Sequence, residues 1–222
     1  MEDYLSDKEQ WEWVKAQLRA NGPAMILALA VVLAGWAGWR WWQQRVDSSQ
    51  AQASAQYMQM VQALERSDRS QALVVLGQLE RGYPDSPYTD QAKLLAARLY
   101  VEGNELDKAA TELSAVAAHS HDKELALVAR QRLARVQIAQ GKPDAALETL
   151  KGADAGAFAP LYHQVRGDAL YAKGDRAGAL TEYRAAQVPG GSADPLLQLK
   201  VSELSGPQPA AANSEPATGM AK

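Results

Sequence analysis

The chain repeats one short pattern, an alanine followed by apolar residues one helical turn later, at nearly constant intervals. The four alanines are Ala72, Ala109, Ala146 and Ala179, and they lie 37, 37 and 33 residues apart. An interval of this size is typical of helical repeat proteins, in which each repeat is a pair of helices that stacks on its neighbours. The spacing therefore favours a solenoid of stacked helix pairs.

Three of the copies carry a glycine between their two halves, namely Gly103, Gly141 and Gly174. Glycine readily adopts the left-handed conformation that ends a helix, so we expect each glycine to close the first helix of its pair. The small alanine then lets the second helix cross the first closely. We also expect Asn104 and Asp175 to cap the second helices of their copies.

These features resemble tetratricopeptide repeats, which have a period of 34 residues. Two departures are that no tryptophan opens any copy and that Arg166 stands where a leucine is expected before Gly167. We predict an all-α repeat domain of about four helix pairs over residues 57–204. A short terminal helix near residues 193–204 would cap the open end of the stack.

An uninterrupted apolar run precedes the repeats. Residues 23–39 contain no charged or amide side chain, and extension to residue 42 gives about 30 Å of helix, the thickness of a bilayer's hydrocarbon core. All six tryptophans lie in the first 42 residues. We predict a transmembrane helix over residues 23–42, with a buried core helix as the alternative. The expected interfacial anchors are Trp39, Arg40, Trp41 and Trp42.

The flanks of this run indicate a retained anchor. Arginine and tryptophan follow it where a cleavable signal peptide needs small residues. Three basic residues before the span and two after it weakly favour a cytoplasmic N-terminus. The predicted organisation is a cytoplasmic tail over 1–22, the span over 23–42, a linker or helix extension over 43–56, the repeats over 57–204 and a disordered tail over 205–222.

Small residues recur every four positions within the span. Ala30, Ala34 and Gly38 would share one face, which would let a second membrane helix approach closely. The alternative is that an alanine-rich chain places small residues at such spacings without a packing role.

Residues that carry chemistry are few. The absence of cysteine excludes disulfides, thiolate catalysis and zinc–cysteine sites, and a net charge of −3 argues against a nucleic-acid-binding surface. His119, His121 and Asp122 resemble a metal site but lack a further well-spaced ligand, so we expect a polar turn there. No catalytic motif occurs, and we expect neither an enzyme nor a cofactor.

A protein of this kind would act through extended surfaces. Arginines cluster at Arg130, Arg132 and Arg135 and could line a concave groove for a peptide, although solvated helix faces would look the same. The residues predicted to line a partner groove are Arg130, Arg135, Tyr162 and Arg166.

Several blocks together resemble the YfgM-type ancillary subunits of the bacterial SecYEG translocon. The resemblance covers the chain to about Leu204, and the proline-containing tail departs from it. The blocks are Asn21-Gly22 after an acidic tail, GWRWW at Gly38–Trp42, Val46–Ser48, RLARVQ at Arg132–Gln137 and RGDALYAKGD at Arg166–Asp175.

The resemblance implies a single-pass protein of the bacterial inner membrane with its repeats in the periplasm. It implies partnership with SecYEG and the chaperone PpiD in handing over exported client proteins. The family is also linked to the response regulator RcsB, so an alternative is a stress-signalling modulator that acts through its cytoplasmic tail. A third possibility inverts the anchor and makes the repeats a cytoplasmic assembly scaffold.

Overall fold

The computed structural model describes residues 7–187 and 194–206, and all regular structure within these ranges is helical. The chain divides into two compact units, Met1–Ala55 and Gln56–Lys222, and each is described by itself. In the first helix, nothing is described of the side chains at positions 7–10, 14, 17, 18, 20, 21, 23, 26 and 47. The prediction of an all-α fold is confirmed. The helices are α1 Asp7–Glu65, α2 Arg69–Gly82, α3 Pro87–Glu102, α4 Leu106–His119, α5 Lys123–Ala139, α6 Pro143–Leu150, a 3₁₀ turn Gly156–Phe158, α7 Ala159–Ala172, α8 Arg176–Ala185 and α9 Pro195–Ser205.

Helix α1 runs without interruption through the predicted span and through residues 43–56. The latter segment is therefore an extension of the helix and not a separate linker. Within the described residues, no helix is long and apolar enough to cross a membrane. The predicted span includes Pro23 and Ile26, whose side chains are not described, so it stays a prediction. Most of the predicted disordered tail, residues 207–222, also lies outside the described residues.

In the second unit, consecutive helices pack against each other from α2 to α9. In addition, α3 contacts α5 and α5 contacts α7. Contacts between alternate helices are those that stacked helix pairs make, because the first helix of each pair lies against the first helix of the next. This arrangement agrees with the predicted tetratricopeptide-like domain.

The same spacing recurs within the pairs and places small buried residues on both helices. The four repeat alanines are all fully buried. Twelve residues before three of them stand Ala97, Ala134 and Gly167, which are also buried, so both helices of these pairs bury a small residue. In the first copy this position holds Met60, which is fully buried as well. Small residues at these positions let larger neighbours such as Leu113 and Leu150 fill the seam.

The turns between paired helices use two different solutions. Gly141 and Gly174 have φ values of 73° and 84°, in the left-handed region that glycine adopts without steric cost. In the copy that contains Gly103, this glycine does end the first helix, because it is the C-cap of α3. The expected left-handed conformation is wrong for it, since its φ is −85° and the next residue, Asn104, takes the left-handed value of 56°. Asparagine is the residue other than glycine that most readily tolerates this conformation.

Position 103 lies against the flexible end of a long side chain. A Cβ on Gly103 would lie 2.6 Å from Nη1 of Arg69, whose guanidinium crosses the turn to reach the carboxylate of Glu105. Because Asn104 forms the turn, the N-cap of α4 is Glu105 and carries no side-chain capping bond. The prediction that Asn104 caps this helix is therefore wrong, whereas Asp175 does cap α8 by accepting a bond from the Gly178 amide at 2.9 Å.

Helix α9 covers the end of the stack, where we expected a short terminal helix. Its buried residue Leu197 packs with Ala179, Tyr183 and Ala186. Lys200 adds a polar contact, since its Nζ lies 2.5 Å from Oδ1 of Asp168 on α7. The tyrosine hydroxyl of Tyr183 donates to the same oxygen at 2.7 Å, so α7, α8 and α9 meet at one carboxylate.

Candidate interaction surface

An apolar groove of about 460 Å³ lies between α3, α4 and α5. Its floor is made of side chains that are nearly buried and its wall of side chains that are partly exposed. Val101 is the most open of the large apolar residues, at 44% exposure. The apolar lining residues are Leu94, Ala97, Val101, Leu106, Leu113, Val136 and Ala139.

The spacing of the lining residues explains why these helices form a groove. On α3, Leu94, Ala97 and Val101 follow each other at intervals of three and four, which places them along one face of the helix. On α5, Val136 and Ala139 form a second apolar stripe. Small residues at 97 and 139 leave space between the two helices that larger side chains would occupy.

The charged residues that line the groove are Arg98, Glu102, Arg132 and Arg135. Arg98 is compensated, because its Nε donates to Oε1 of Glu102 at 2.8 Å along the same helix. Arg135 lies on the exposed side of α5, where the carboxamide of Gln131, turned with its oxygen toward the arginine, accepts from Nε at 3.0 Å. Arg132 is exposed and pairs with no carboxylate among the described residues. The groove therefore carries two arginines without an acidic partner.

A second charged cluster lies beside the α3–α4 turn, and its charges pair with each other, while Nε of Arg69 is buried without a hydrogen-bond partner among the described residues. Glu105 accepts hydrogen bonds from Lys108 at 2.5 Å and from Arg69, and these bonds lower the pKa of the Glu105 carboxyl. The same bond to Glu105 raises the pKa of Lys108. Tyr100 lies under both cations, and its phenol pKa is raised, chiefly by burial. Because each charge has a partner, this cluster holds the turn together and offers no free ligand.

The structure separates the residues that we predicted to line one partner groove. Arg135 lines the apolar groove, whereas Tyr162 and Arg166 lie beside a smaller cavity of about 320 Å³ near α7. Tyr162 is only 2% exposed and its hydroxyl donates to the Leu127 carbonyl at 2.9 Å, with burial raising its pKa. It is therefore a core residue and not a surface contact. Arg130 lies near this tyrosine and is half-buried.

Arg166 also has an internal role. Its Nη2 donates to the Leu150 carbonyl at 2.9 Å, which satisfies an acceptor at the end of α6. An arginine replaces the leucine that tetratricopeptide repeats place before Gly167, and this bond gives the replacement a structural reason. The pattern in the sequence could not indicate the bond, because the two residues meet only when α6 and α7 pack.

The turn that contains His121 and Asp122 forms the start of α5. The Asp122 carboxylate accepts from the amides of Glu124 at 2.9 Å and Leu125 at 3.1 Å and so caps α5. Nδ1 of His119 lies 3.2 Å from the Ala115 carbonyl at the end of α4. No group of three potential metal ligands occurs among the described residues.

The residues singled out within α1 are exposed in the first unit. Ala30, Ala34 and Gly38 are all exposed, and a Cβ on Gly38 would meet nothing within 4 Å. Arg40 lies 5.6 Å from the ring of Trp36, and the rings of Trp39 and Trp42 are 6.0 Å apart. Trp41 lies 5.2 Å from the guanidinium of Arg45. Their roles as a packing face and as interfacial anchors stay predictions.

Sequence reasoning missed several residues of the groove, namely Arg98, Val101, Leu106 and Ala139. The sequence does contain a signal for part of the groove, because Leu94, Ala97 and Val101 form an apolar stripe on α3. That stripe alone does not tell whether a neighbouring helix covers it.

Comparison with known proteins identifies the family. A family model described as a tetratricopeptide repeat-like domain matches residues 15–206. The chain is 32% identical over 211 residues to the ancillary SecYEG translocon subunit of Escherichia coli strain K12, across 92% of this chain and 100% of that protein. Proteins of the same name are 29% identical in Neisseria gonorrhoeae, over 92% of this chain and 100% of the relative, and 28% identical in Aggregatibacter actinomycetemcomitans, over 90% and 98%. No solved structure matches the chain significantly.

Two independent findings thus agree on the same assignment. The family model spans most of the chain, and the alignments with relatives extend over nearly the full length of both proteins. The chain therefore belongs to the YfgM family of ancillary SecYEG translocon subunits.

Proposed function

We propose that this protein is a membrane-anchored, non-catalytic adaptor of the SecYEG translocon that assists exported proteins through contacts made by its helical repeats. The observation that carries the proposal is the end-to-end similarity to proteins named ancillary SecYEG translocon subunits. Similarity over the whole length covers both the N-terminal helix and the repeats, so it supports a shared role for the whole chain.

The exposed apolar surface of α1 supports an anchor in this proposal. Large apolar side chains that are each more than half exposed follow one another around the helix. A helix that is apolar on all sides is stable only when lipid or protein covers it. The residues concerned are Met25, Leu27, Leu29, Val31, Val32, Leu33 and Trp36.

Membrane anchoring has to be tested directly, because no described helix is apolar enough for a span. The full chain is expected to stay in the membrane pellet after alkaline carbonate extraction. Replacing Leu29 and Val32 by lysine should release it, since each lysine in the middle of a span disfavours insertion by about 2.5–3.5 kcal/mol. Replacing the exposed Thr111 and Thr181 by lysine is the matched control. Release of the unaltered chain would contradict the anchor.

Association with the translocon is tested by photocrosslinking in cells. A photoreactive amino acid at Val32 is expected to form adducts with SecY, SecE or SecG. A chain in which residues 23–42 are replaced by an alternating leucine–alanine span of equal length provides the control, because it keeps an apolar helix but loses the native side chains. Absence of translocon adducts from the native chain would overturn the proposal.

Placement of the repeats in the periplasm belongs to the same proposal. A reporter enzyme that is active only in the periplasm, fused after Leu204, is expected to be active. The inverted arrangement, with the repeats in the cytoplasm, would leave it inactive. Partnership with PpiD or RcsB stays a prediction from the family resemblance.

A further inference from the structure

We propose that the groove between α3, α4 and α5 binds a short amphipathic polypeptide segment whose apolar side chains enter the groove and whose carboxylates pair with Arg132 and Arg135. This inference specifies the client-binding site within the proposed function and rests on that function for its biological meaning. The binding chemistry itself requires neither a membrane nor a translocon.

The floor of the groove favours apolar side chains. Leu94, Leu113 and Val136 are each less than a tenth exposed, while Val101 and Ala139 remain open to solvent. A volume of about 460 Å³ falls within the usual range of ligand pockets, about 300–1,000 Å³. Such a volume accommodates a few side chains of a peptide but no folded domain.

The shape of the apolar lining favours a helical segment. The lining residues of α3 and α5 form two stripes that run along their helices. An amphipathic helix can lie in such a groove with anchors spaced by three and four residues. The peptide backbone then satisfies its own hydrogen bonds, so the apolar floor does not need to supply any.

Charge decides which peptides fit. Glu102 is already bonded to Arg98 at 2.8 Å, and Asp107 at the start of α4 accepts a bond from Gln140 at 2.8 Å. Glu102, the acidic residue that lines the groove, and Asp107 are therefore engaged, whereas Arg132 and Arg135 lack carboxylate partners among the described residues. Arginine presents several donors in a plane that matches a carboxylate, so acidic segments are favoured over basic ones.

The binding experiment uses the full chain in detergent and two fluorescein-labelled peptides of about three helical turns. Both peptides have leucines at intervals of three and four, and the positions between them are glutamate in one and lysine in the other. Fluorescence anisotropy is expected to give tighter binding of the glutamate peptide. The double variant Arg132→Glu, Arg135→Glu should weaken that binding by about tenfold and favour the lysine peptide.

Two further variants separate the contributions of shape and charge. Ala139→Trp fills the groove and should weaken the binding of both peptides. Arg81→Glu is the matched control, because Arg81 is exposed on α2, which contributes no residue to the groove. Circular dichroism checks that every variant keeps its helix content.

Several outcomes would overturn the inference. These are binding of neither peptide, equal binding of both, or glutamate-peptide binding that survives the double variant. A groove filled by the chain's own end would appear as tighter peptide binding after removal of residues 207–222. A groove filled by a second copy would appear as a dimer that Ala139→Trp dissociates in sedimentation. Because none of these measurements includes SecYEG, their failure leaves the translocon crosslinking test of the proposed function unaffected.

Discussion

At the scale of single residues, the glycine at position 167 is constrained by a neighbouring side chain and not by backbone conformation. A Cβ on Gly167 would lie 2.5 Å from Cε1 of Tyr183, a ring that is itself 2% exposed. At Gly103 the nearest atoms belong to the guanidinium of Arg69, the flexible end of a long side chain, so an added methyl group there is accommodated more easily. Glycines in a repeat can therefore report a close crossing of elements as well as a turn.

The variant Gly167→Ala is expected to destabilise the protein by about 1–3 kcal/mol, the usual cost of overpacking a buried site. The added methyl group must displace the ring of Tyr183 and so disturb its bond to Asp168. Thermal unfolding followed by circular dichroism measures the effect. The control is Gly77→Ala on α2, where the nearest atom would be 3.8 Å away, so higher helix propensity should stabilise by about 0.5–1 kcal/mol. Equal effects at both positions would contradict the packing argument.

Glu112 on α4 is a residue whose charge opposes folding. Burial raises the pKa of its carboxyl, the carboxylate of Glu80 raises it further, and Lys93 acts in the opposite direction. Because the folded state disfavours the ionised form, stability falls as the pH rises from the ordinary value of 4.5 through the raised pKa.

We therefore expect Glu112→Gln to have a higher melting temperature than the native chain at pH 7. The difference should disappear below about pH 4, where the carboxyl is protonated in both the folded and unfolded states. Glu148→Gln, at an exposed position on α6, should shift the melting temperature little. A lower melting temperature for Glu112→Gln at pH 7 would contradict the role assigned to burial.

At the scale of elements, α9 depends on a few contacts, because among the described helices it packs mainly against α8. Leu197 supplies its buried apolar contact, and Lys200 connects it to Asp168 and lies 5.2 Å from the ring of Tyr183. Terminal elements of a repeat array open more readily than internal ones, since they bury less surface.

Lys200→Met is expected to increase amide hydrogen exchange in α9 while leaving α3 to α5 unchanged. The variant keeps an unbranched apolar stem but removes the charge that holds the Asp168 carboxylate. Lys151→Met, which removes an exposed pair with Glu148 at 3.1 Å, should leave exchange in α9 unchanged. Uniformly faster exchange throughout the repeats would indicate global destabilisation and count against a local role.

At the scale of the whole molecule, the two units differ in how their apolar residues are covered. Among its described residues, the second unit contains clusters of buried side chains centred on Leu113, Leu150 and Tyr183. The large apolar side chains that the structure describes in the first unit from Leu27 to Trp42 are instead exposed. The repeats therefore have an apolar core of their own, which stabilises their fold.

A fragment of residues 56–206 is expected to be helical and to unfold cooperatively, because those three clusters lie within it. Circular dichroism and thermal unfolding test this, and sedimentation shows whether the fragment is monodisperse. Loss of helix content on removal of residues 1–55 would mean that the repeats need the first unit to fold.

The amino-acid sequence by itself determined the helical repeats, because periodic apolar residues, small residues at fixed intervals and helix-ending glycines act within one or two helical turns. It placed the buried alanines, the left-handed turns at Gly141 and Gly174 and the capping Asp175. Only the tertiary structure decided which apolar stripes are covered and which arginines are engaged. In the folded chain Tyr162 is a core residue and Arg166 donates a hydrogen bond to the Leu150 carbonyl. Arg132 and Arg135 lie beside an open groove. The physical reason is that these outcomes depend on residues about 15 to 40 positions apart, which meet only when neighbouring helix pairs stack.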